Sequence, residues 1–121
     1  MGCIYCGYDN DKRKNGSLKI GMTERNTPTA RFSACGIIGL WYFQISNATK
    51  AELLMIESAA RLAGERAAGL KQYGNDHFHY TMYCSRQPQK HQEALRVAAP
   101  IQVAIAQACE MYGLTYRLRL C

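Results

Sequence analysis

Two short segments near the start of the chain combine polar groups with glycine in a way that suits phosphate chemistry. They are Cys3–Tyr5 (Cys-Ile-Tyr) and Lys19–Thr23 (Lys-Ile-Gly-Met-Thr). Each is predicted to be a strand, and the polar, glycine-bearing segment 9–17 between them is predicted to be a hairpin loop. A helix carrying Arg31 follows. A phenol and an ammonium group beside a glycine, with a guanidinium on the next helix, can together form a phosphate site.

The elements that would position these groups are an antiparallel hairpin and a short helix. Strands are predicted at residues 2–8 and 17–22, with Lys19 and Gly21 on one face of the second strand. Thr27 is the expected N-cap of the helix and Pro28 its first residue, because proline suits that position. Gly36 is expected to end it.

The middle of the chain predicts a strand, a helix and another strand. Residues 37–46 are almost continuously apolar, which is typical of a central strand buried on both faces. A helix over 50–68, capped by Asn47 or Thr49, is followed by a turn region at 69–76 and a strand at 77–83. The spacing of 3.6 residues predicts an inward helix face made of Leu54, Met55, Ser58 and Leu62.

The last third predicts a long helix and a closing strand. The helix runs from Pro88 to about Tyr112 with Gly113 as its stop, and Pro100 could kink or split it. Residues 114–120 alternate as a strand does. The expected inward helix face is Leu95, Ala98, Ile101, Val103 and Ile105. The fold class is therefore α+β, as one domain over 1–121 with a ββαβα core at 2–83 and a β-α-β-like extension at 84–121.

The charge of the chain favours polyanionic partners. Its 121 residues include 15 Lys and Arg against 9 Asp and Glu, a net charge of +6. A basic domain of this kind either binds nucleic acid or uses its charge for solubility. The basic residues that crowd the first third are Lys12, Arg13, Lys14, Lys19, Arg25 and Arg31.

Six cysteines raise the alternative of a zinc site. Cys3 and Cys6 have a C-x-x-C spacing, and further ligands would have to come from Cys35, Cys84, His77 or His79. In a strand, however, Cys3 and Cys6 would point to opposite faces. Because closed zinc sites usually show paired spacings, reduced structural cysteines are the simpler expectation.

Nothing at the start of the chain predicts export or membrane insertion. The first residues lack a basic segment followed by a long apolar one, and no apolar run reaches the roughly 18 residues of a membrane span. A cytoplasmic location is therefore expected.

The order of these motifs resembles the GIY-YIG endonuclease superfamily, in particular a phage-type branch related to a T5 phage open reading frame. The resemblance covers about residues 2–83. It rests on Cys3–Tyr5, on Lys19–Thr23, on Arg31 in the following helix and on Glu57 in a later one. It departs from the family at Cys3, where a glycine is usual, and at Lys19, where many members have a second tyrosine.

The resemblance implies a metal-dependent nuclease of phage or mobile-element type that cuts DNA phosphodiester bonds. Tyr5 would position or activate the attacking water, and Arg31 would stabilise charge on the scissile phosphate. Glu57 would hold one magnesium or manganese ion through an oxygen ligand. Lys19 would contact phosphate, and His77 would serve as a local base or phosphate ligand. The expected DNA-binding residues are Lys12, Arg13, Lys14, Gly21, Thr23 and Arg25.

Three further points stay open on the sequence alone. The same fold could bind nucleic acid, or a host or phage protein, without catalysis, as a counter-defence factor would. Glu57 and Arg61, four residues apart on a helix, could form an ordinary exposed ion pair. The 84–121 extension could pack on the core or mediate a homodimer.

Overall fold

In the computed structural model, the backbone is described for residues 1–9, 17–67, 71–73, 77–79 and 87–121, and side chains for 1–8, 17–66 and 90–121. The fold is α+β, with a mixed order of strands and helices. The elements are β1 (Gly2–Asp9), β2 (Ser17–Thr23), α1 (Thr29–Cys35), β3 (Ile37–Ile45), α2 (Lys50–Ala67), β4 (Lys71–Tyr73), β5 (His77–His79), α3 (Gln87–Met111) and β6 (Tyr116–Leu120).

The strands form one antiparallel sheet in the order β4-β5-β2-β1-β3-β6. The predicted hairpin of β1 and β2 is confirmed, with Tyr5 opposite Gly21 and Gly7 opposite Lys19. On its other side β1 pairs with β3. The first strand is thus the centre of the three strands that carry most of the residues singled out in the sequence.

One face of the sheet carries the hydrophobic core. In β1, Ile4, Cys6 and Tyr8 belong to a buried cluster that also contains residues of α2 and α3. Since successive side chains of a strand point to opposite faces, Cys3, Tyr5 and Gly7 face the other way. We call the first the core face and the second the α1 face, because α1 packs on the latter through Phe32, which lies 5.4 Å from Tyr5 between ring centroids.

A β-bulge adjusts the register of the two central strands. Cys6 pairs with Trp41, but Gly7 pairs with Gly39, so Leu40 is the extra residue of β3. Leu40 and Trp41 are both buried in the core. The carbonyl of Leu40 accepts a hydrogen bond from the Cys121 backbone N–H, which ties the C-terminal residue to the bulge.

Helices α2 and α1 differ in how their N-termini are capped. Thr49 caps α2, as one of the two predicted alternatives: its hydroxyl accepts from the Glu52 N–H, and Glu52 accepts from the Thr49 N–H, a capping box. Asn47 instead accepts from the Thr115 N–H. The prediction for α1 is wrong at its start, because Pro28 occupies the cap position and no side chain caps the helix.

The end of α1 is as predicted. Gly36 has a φ of 63°, the left-handed conformation that glycine adopts without strain. The following strand β3 is interior to the sheet, but its burial alternates. The expectation that it is buried on both faces is therefore wrong: Tyr42 and Gln44, on the α1 face, are half-exposed.

The inward face predicted for α2 is also wrong. Leu54, Met55 and Leu62 are exposed. The residues that pack inward are Leu53, Ile56, Glu57 and Ala60. Residues 53–56 are all apolar, so the sequence pattern fits an inward face that contains Leu53 and Ile56 as well as one that contains Leu54 and Met55. The observed inward face is rotated by about one residue from the predicted one.

The C-terminal third largely follows the prediction. Helix α3 passes through Pro100 without a break and ends before Gly113, whose φ is 66°. Ala98, Ile101 and Ile105 are buried as expected, but Val103 is exposed. Residues 71–73 form a short strand rather than part of a turn, and the predicted 77–83 strand is described only over His77–His79. No helix within the described residues has the length and apolarity needed to cross a membrane.

Candidate functional site

The strand register brings Tyr5, Lys19 and Gly21 onto the α1 face. Tyr5 lies opposite Gly21, and Lys19 lies two residues before Gly21 in β2. Directly paired residues share a face, and residues two apart in a strand do so as well. The two polar groups that the sequence pattern paired are therefore neighbours on adjacent strands, with a glycine between them.

Tyr5 is packed against that glycine and against α1. An added Cβ at Gly21 would lie 2.5 Å from the Tyr5 hydroxyl oxygen, so the ring covers the position that a larger residue would occupy. The Phe32 ring meets it edge to face. Only 3% of Tyr5 is exposed. Glycine is required at position 21 because the phenol lies across it.

The ammonium group of Lys19, in β2, contacts the last residue of α1. Lys19 is 8% exposed, and its Nζ lies 3.0 Å from Cys35 Sγ, to which it donates. The backbone of His77 in β5 is paired with Lys19 on the side away from β1. The predicted contribution of His77 depends on a side chain that lies outside the described residues.

Helix α1 places Arg31 at the surface above this face. Phe32 and Cys35, three residues apart, are the positions that contact Tyr5 and Lys19. Arg31 is exposed. The sequence analysis did not assign Phe32 and Cys35 to the sheet-facing side of α1, although their helical spacing is the signal that identifies such a stripe.

Glu57 lies on the other side of the sheet from Tyr5 and Lys19. It extends from α2, whose Leu53 and Ile56 belong to the core cluster with Ile4 and Cys6. The structure therefore brings Tyr5, Lys19 and α1 together but does not bring Glu57 onto their face.

The Glu57 carboxylate forms an ion pair within α2. Arg61 Nη2 lies 3.0 Å from Glu57 Oε1, and the two side chains are 25% and 10% exposed, respectively. The pair is thus largely buried, not exposed as an ordinary helix-surface pair would be. Arg61 Nε is buried without a hydrogen-bond partner in the described part of the chain. The guanidinium compensates the charge that burial of the carboxylate would otherwise leave unpaired.

The expected DNA-binding residues fall into three groups. Lys12, Arg13 and Lys14 lie outside the described residues. Gly21 and Thr23 are buried, and the Thr23 hydroxyl accepts from the Arg25 N–H at 3.3 Å. Arg25 is exposed at the end of β2, so it is the described member of the set that solvent and a partner can reach.

The two cysteines of the C-x-x-C motif point to opposite faces, as the strand pattern predicted. Cys6 belongs to the core cluster, whereas Cys3 lies on the α1 face and donates to the carbonyls of Arg25 and Asn26 at 3.1 and 2.8 Å. Burial raises the pKa of Cys3 to about 11, which keeps it a neutral thiol at neutral pH.

Among the side chains that the structure describes, no three His, Cys, Asp or Glu residues are grouped so as to hold a metal ion. Cys84 and the side chains of His77 and His79, named above as further zinc ligands, are outside that set.

Comparison with known proteins adds no family to this description. No family model, no curated protein and no solved structure matches the chain.

Proposed function

We propose that the chain is a metal-dependent endonuclease of GIY-YIG type, which hydrolyses phosphodiester bonds in DNA. The observation that carries the proposal is the placement of Tyr5 and Lys19 on one face of paired strands, with Gly21 between them. Arg31 follows on the helix that packs on this face. The order of these motifs in the sequence fits the order of β1, β2 and α1 in the fold. Surface residues without a shared function would not need to follow this order.

The side chains of this face can bind and polarise a phosphate. Arg31 presents a planar guanidinium at the surface, suited to two parallel hydrogen bonds with phosphate oxygens. Lys19 adds a second positive charge, and because its side chain is buried, the low dielectric around it strengthens its field. Tyr5 supplies a hydroxyl next to Gly21 that can position a water molecule.

The role of the metal ligand falls to Glu57. A single carboxylate completed by water and substrate phosphate is a usual way to bind magnesium, so the donor chemistry fits. Arg61 neutralises this carboxylate at 3.0 Å and would have to yield to the ion. An ion held there would neutralise charge on a phosphate that reaches the core side of the sheet, where α2 packs, and not on one bound beside Tyr5 and Lys19.

The test is plasmid nicking by the full chain in the presence of magnesium or manganese. Arg31→Ala and Glu57→Gln are expected to lower the rate by about 10²-fold or more, as loss of a charge-stabilising group does. Arg66→Ala and Glu65→Gln are matched controls, because both residues are exposed on α2. Thermal unfolding verifies that each variant is folded. Undiminished nicking by both Arg31→Ala and Glu57→Gln would exclude the proposed site.

A second candidate is a nucleic-acid-binding domain of the same fold that does not cut. It is favoured by one observation: α2, which carries Glu57 and its partner Arg61, packs on the core face. This candidate predicts salt-sensitive DNA binding without turnover in any divalent metal. It also predicts that Glu57→Gln binds DNA as tightly as the natural chain.

A further inference from the structure

The α1 face of the sheet continues beyond the candidate site to the edge strand β6. Tyr5 pairs with Tyr42, and Tyr42 pairs with Arg119, so these three residues form one row across three strands. The next row on this face contains Gln44 and Arg117. Residues paired across strands share a face, so both arginines of β6 lie on the same face as Tyr5.

The guanidinium groups of β6 are exposed. Arg119 Nε donates to Gln44 Oε1 at 3.3 Å, and Gln44 Nε2 donates to the carbonyl of Asn26 at 3.0 Å. This chain of bonds links β6 to the segment next to Arg25. Arg117 has neither an ion pair nor a hydrogen bond with any other described side chain. Within the described part of the chain, most of the donor capacity of the two arginines is therefore not used.

The two layers of the fold differ in charge. Helices α2 and α3 carry five basic residues, Lys50, Arg61, Arg66, Lys90 and Arg96, and five acidic ones, Glu52, Glu57, Glu65, Glu93 and Glu110. The described side chains of the strands, α1 and their connections carry five basic residues, Lys19, Arg25, Arg31, Arg117 and Arg119, and one acidic residue, Glu24. Among the described side chains, the excess positive charge therefore lies outside α2 and α3.

We propose that Arg117 and Arg119 form a second phosphate-contact site, and that duplex DNA lies across the α1 face from Arg25 and Arg31 to the β6 edge. The inference rests on the proposed function for its ligand, nucleic acid, and adds residues outside the 2–83 segment. Strands are about 4.8 Å apart, so the backbones of Tyr5 and Arg119 are about 10 Å apart. That span is comparable to the roughly 12 Å width of the major groove, so one duplex can contact both sites.

The competing explanation is that the arginines protect an edge strand. Charged residues on exposed edges discourage pairing with other chains. In that case, removing them would promote self-association, observable by size-exclusion chromatography, and would leave DNA binding unchanged. The salt dependence of DNA binding distinguishes the two explanations, because binding releases counterions only where the protein contacts phosphates.

The experiment measures fluorescence anisotropy of a labelled duplex with the full chain over a series of salt concentrations. For the double variant Arg117→Gln and Arg119→Gln, the slope of log affinity against log salt should become shallower by about 1 to 2, since each lost phosphate contact removes about 0.9. Arg66→Gln with Arg96→Gln, which removes the same charge from the helix layer, is the matched control and should leave most of the slope in place. An equal slope in the β6 variant and the natural chain would overturn the inference.

The nicking assay separates this inference from the proposed function. If the natural chain binds with the predicted slope dependence on Arg117 and Arg119 but does not nick under any metal condition, the nuclease proposal fails and the β6 site stands. If the chain nicks DNA while the slope is unaffected by the β6 substitutions, the β6 site is excluded and the nuclease proposal stands. Absence of duplex binding by the natural chain overturns the β6 site as well.

Discussion

The two faces of the central sheet are built from the same strands but perform different tasks. In β1, Ile4 and Cys6 enter a core closed by α2 and α3, whereas Tyr5 packs against the short helix α1 and Cys3 contacts the carbonyls of Arg25 and Asn26. The core face is covered by two helices whose charges balance. The α1 face is covered by seven residues of helix and, among the described side chains, carries the excess of positive charge. Because successive side chains of a strand point to opposite faces, the core residues and the candidate site lie on opposite sides of the sheet.

The glycines of the strands show how closely α1 approaches its face. A Cβ at Gly39 would lie 2.5 Å from the Phe32 ring, and one at Gly21 would meet Tyr5. These two positions allow aromatic rings to approach the backbone of the sheet closely. The α1 face is thus packed by rings over glycines, while the core face is packed by aliphatic and aromatic side chains together.

The largest expected difference between the faces concerns the removal of a phenylalanine from each. Phe43 is 2% exposed and contacts Trp41 edge to face at 5.6 Å, so Phe43→Ala should lower the free energy of unfolding by about 3–5 kcal/mol. Phe32 is only half-buried, so Phe32→Ala should cost about half as much or less. Urea unfolding measures both. Equal losses would show that the α1 face is as important for stability as the core.

Local signals in the sequence were sufficient for much of the fold. The β1–β2 hairpin, the Gly36 stop of α1 and the Thr49 cap of α2 depend on contacts between residues close in the chain. The rotation of α2 could not be predicted, because Leu53 to Ile56 are all apolar and only packing against the sheet selects which of them is buried. Tertiary contacts determine which of these residues are buried, and a periodic sequence pattern carries no information about those contacts.

Only part of the candidate site could be predicted, because several of its contacts also depend on strand pairing and tertiary packing. Strand alternation placed Lys19 and Gly21 on one face, but the register that sets Tyr5 opposite Gly21 is known only from the pairing. The spacing of Glu57 and Arg61 indicated an ion pair, yet its burial and its place on the core side depend on α2 packing. Arg117 and Arg119 join the α1 face through β6, a pairing of segments about 75 residues apart that no local pattern encodes.

A smaller effect is expected from filling the space between Tyr5 and its glycine. In Gly21→Ala the new methyl group would lie 2.5 Å from the Tyr5 hydroxyl, and the ring cannot move freely because Phe32 packs against it. The substitution should lower the unfolding free energy by about 1–3 kcal/mol, as overpacking does. Urea unfolding measures this loss.

A double-mutant cycle identifies the cause. In a Tyr5→Ala background the same Gly21→Ala change should cost little, because the opposing ring is gone. An equal cost in both backgrounds would mean that the backbone, not the tyrosine, requires glycine, and the contrast in packing between the faces would then be weaker.

The smallest predicted effect compares one buried thiol from each side of the sheet. Burial raises the pKa of Cys3, on the α1 face, from 9.0 to about 11. Burial and the neighbouring Glu110 raise the pKa of Cys109, in the core, to about 11 as well. Between these values the unfolded chain releases the thiol protons while the folded chain keeps them. The contribution of each thiol to stability is therefore fully present below pH 9 and is lost as the pH rises towards 11.

Urea unfolding at pH 8 to 10.5 checks this window. The natural chain should lose stability over it, and Cys3→Ala and Cys109→Ala should each make the loss less steep by a similar amount. Cys6, whose pKa burial also raises, contributes a background that both variants share. If only Cys109→Ala changes the slope, Cys3 is accessible to solvent, and the α1 face is open where the structure shows it closed. Equal changes would mean that the segment containing Arg25 and Asn26 excludes water from Cys3 as well as the core excludes it from Cys109.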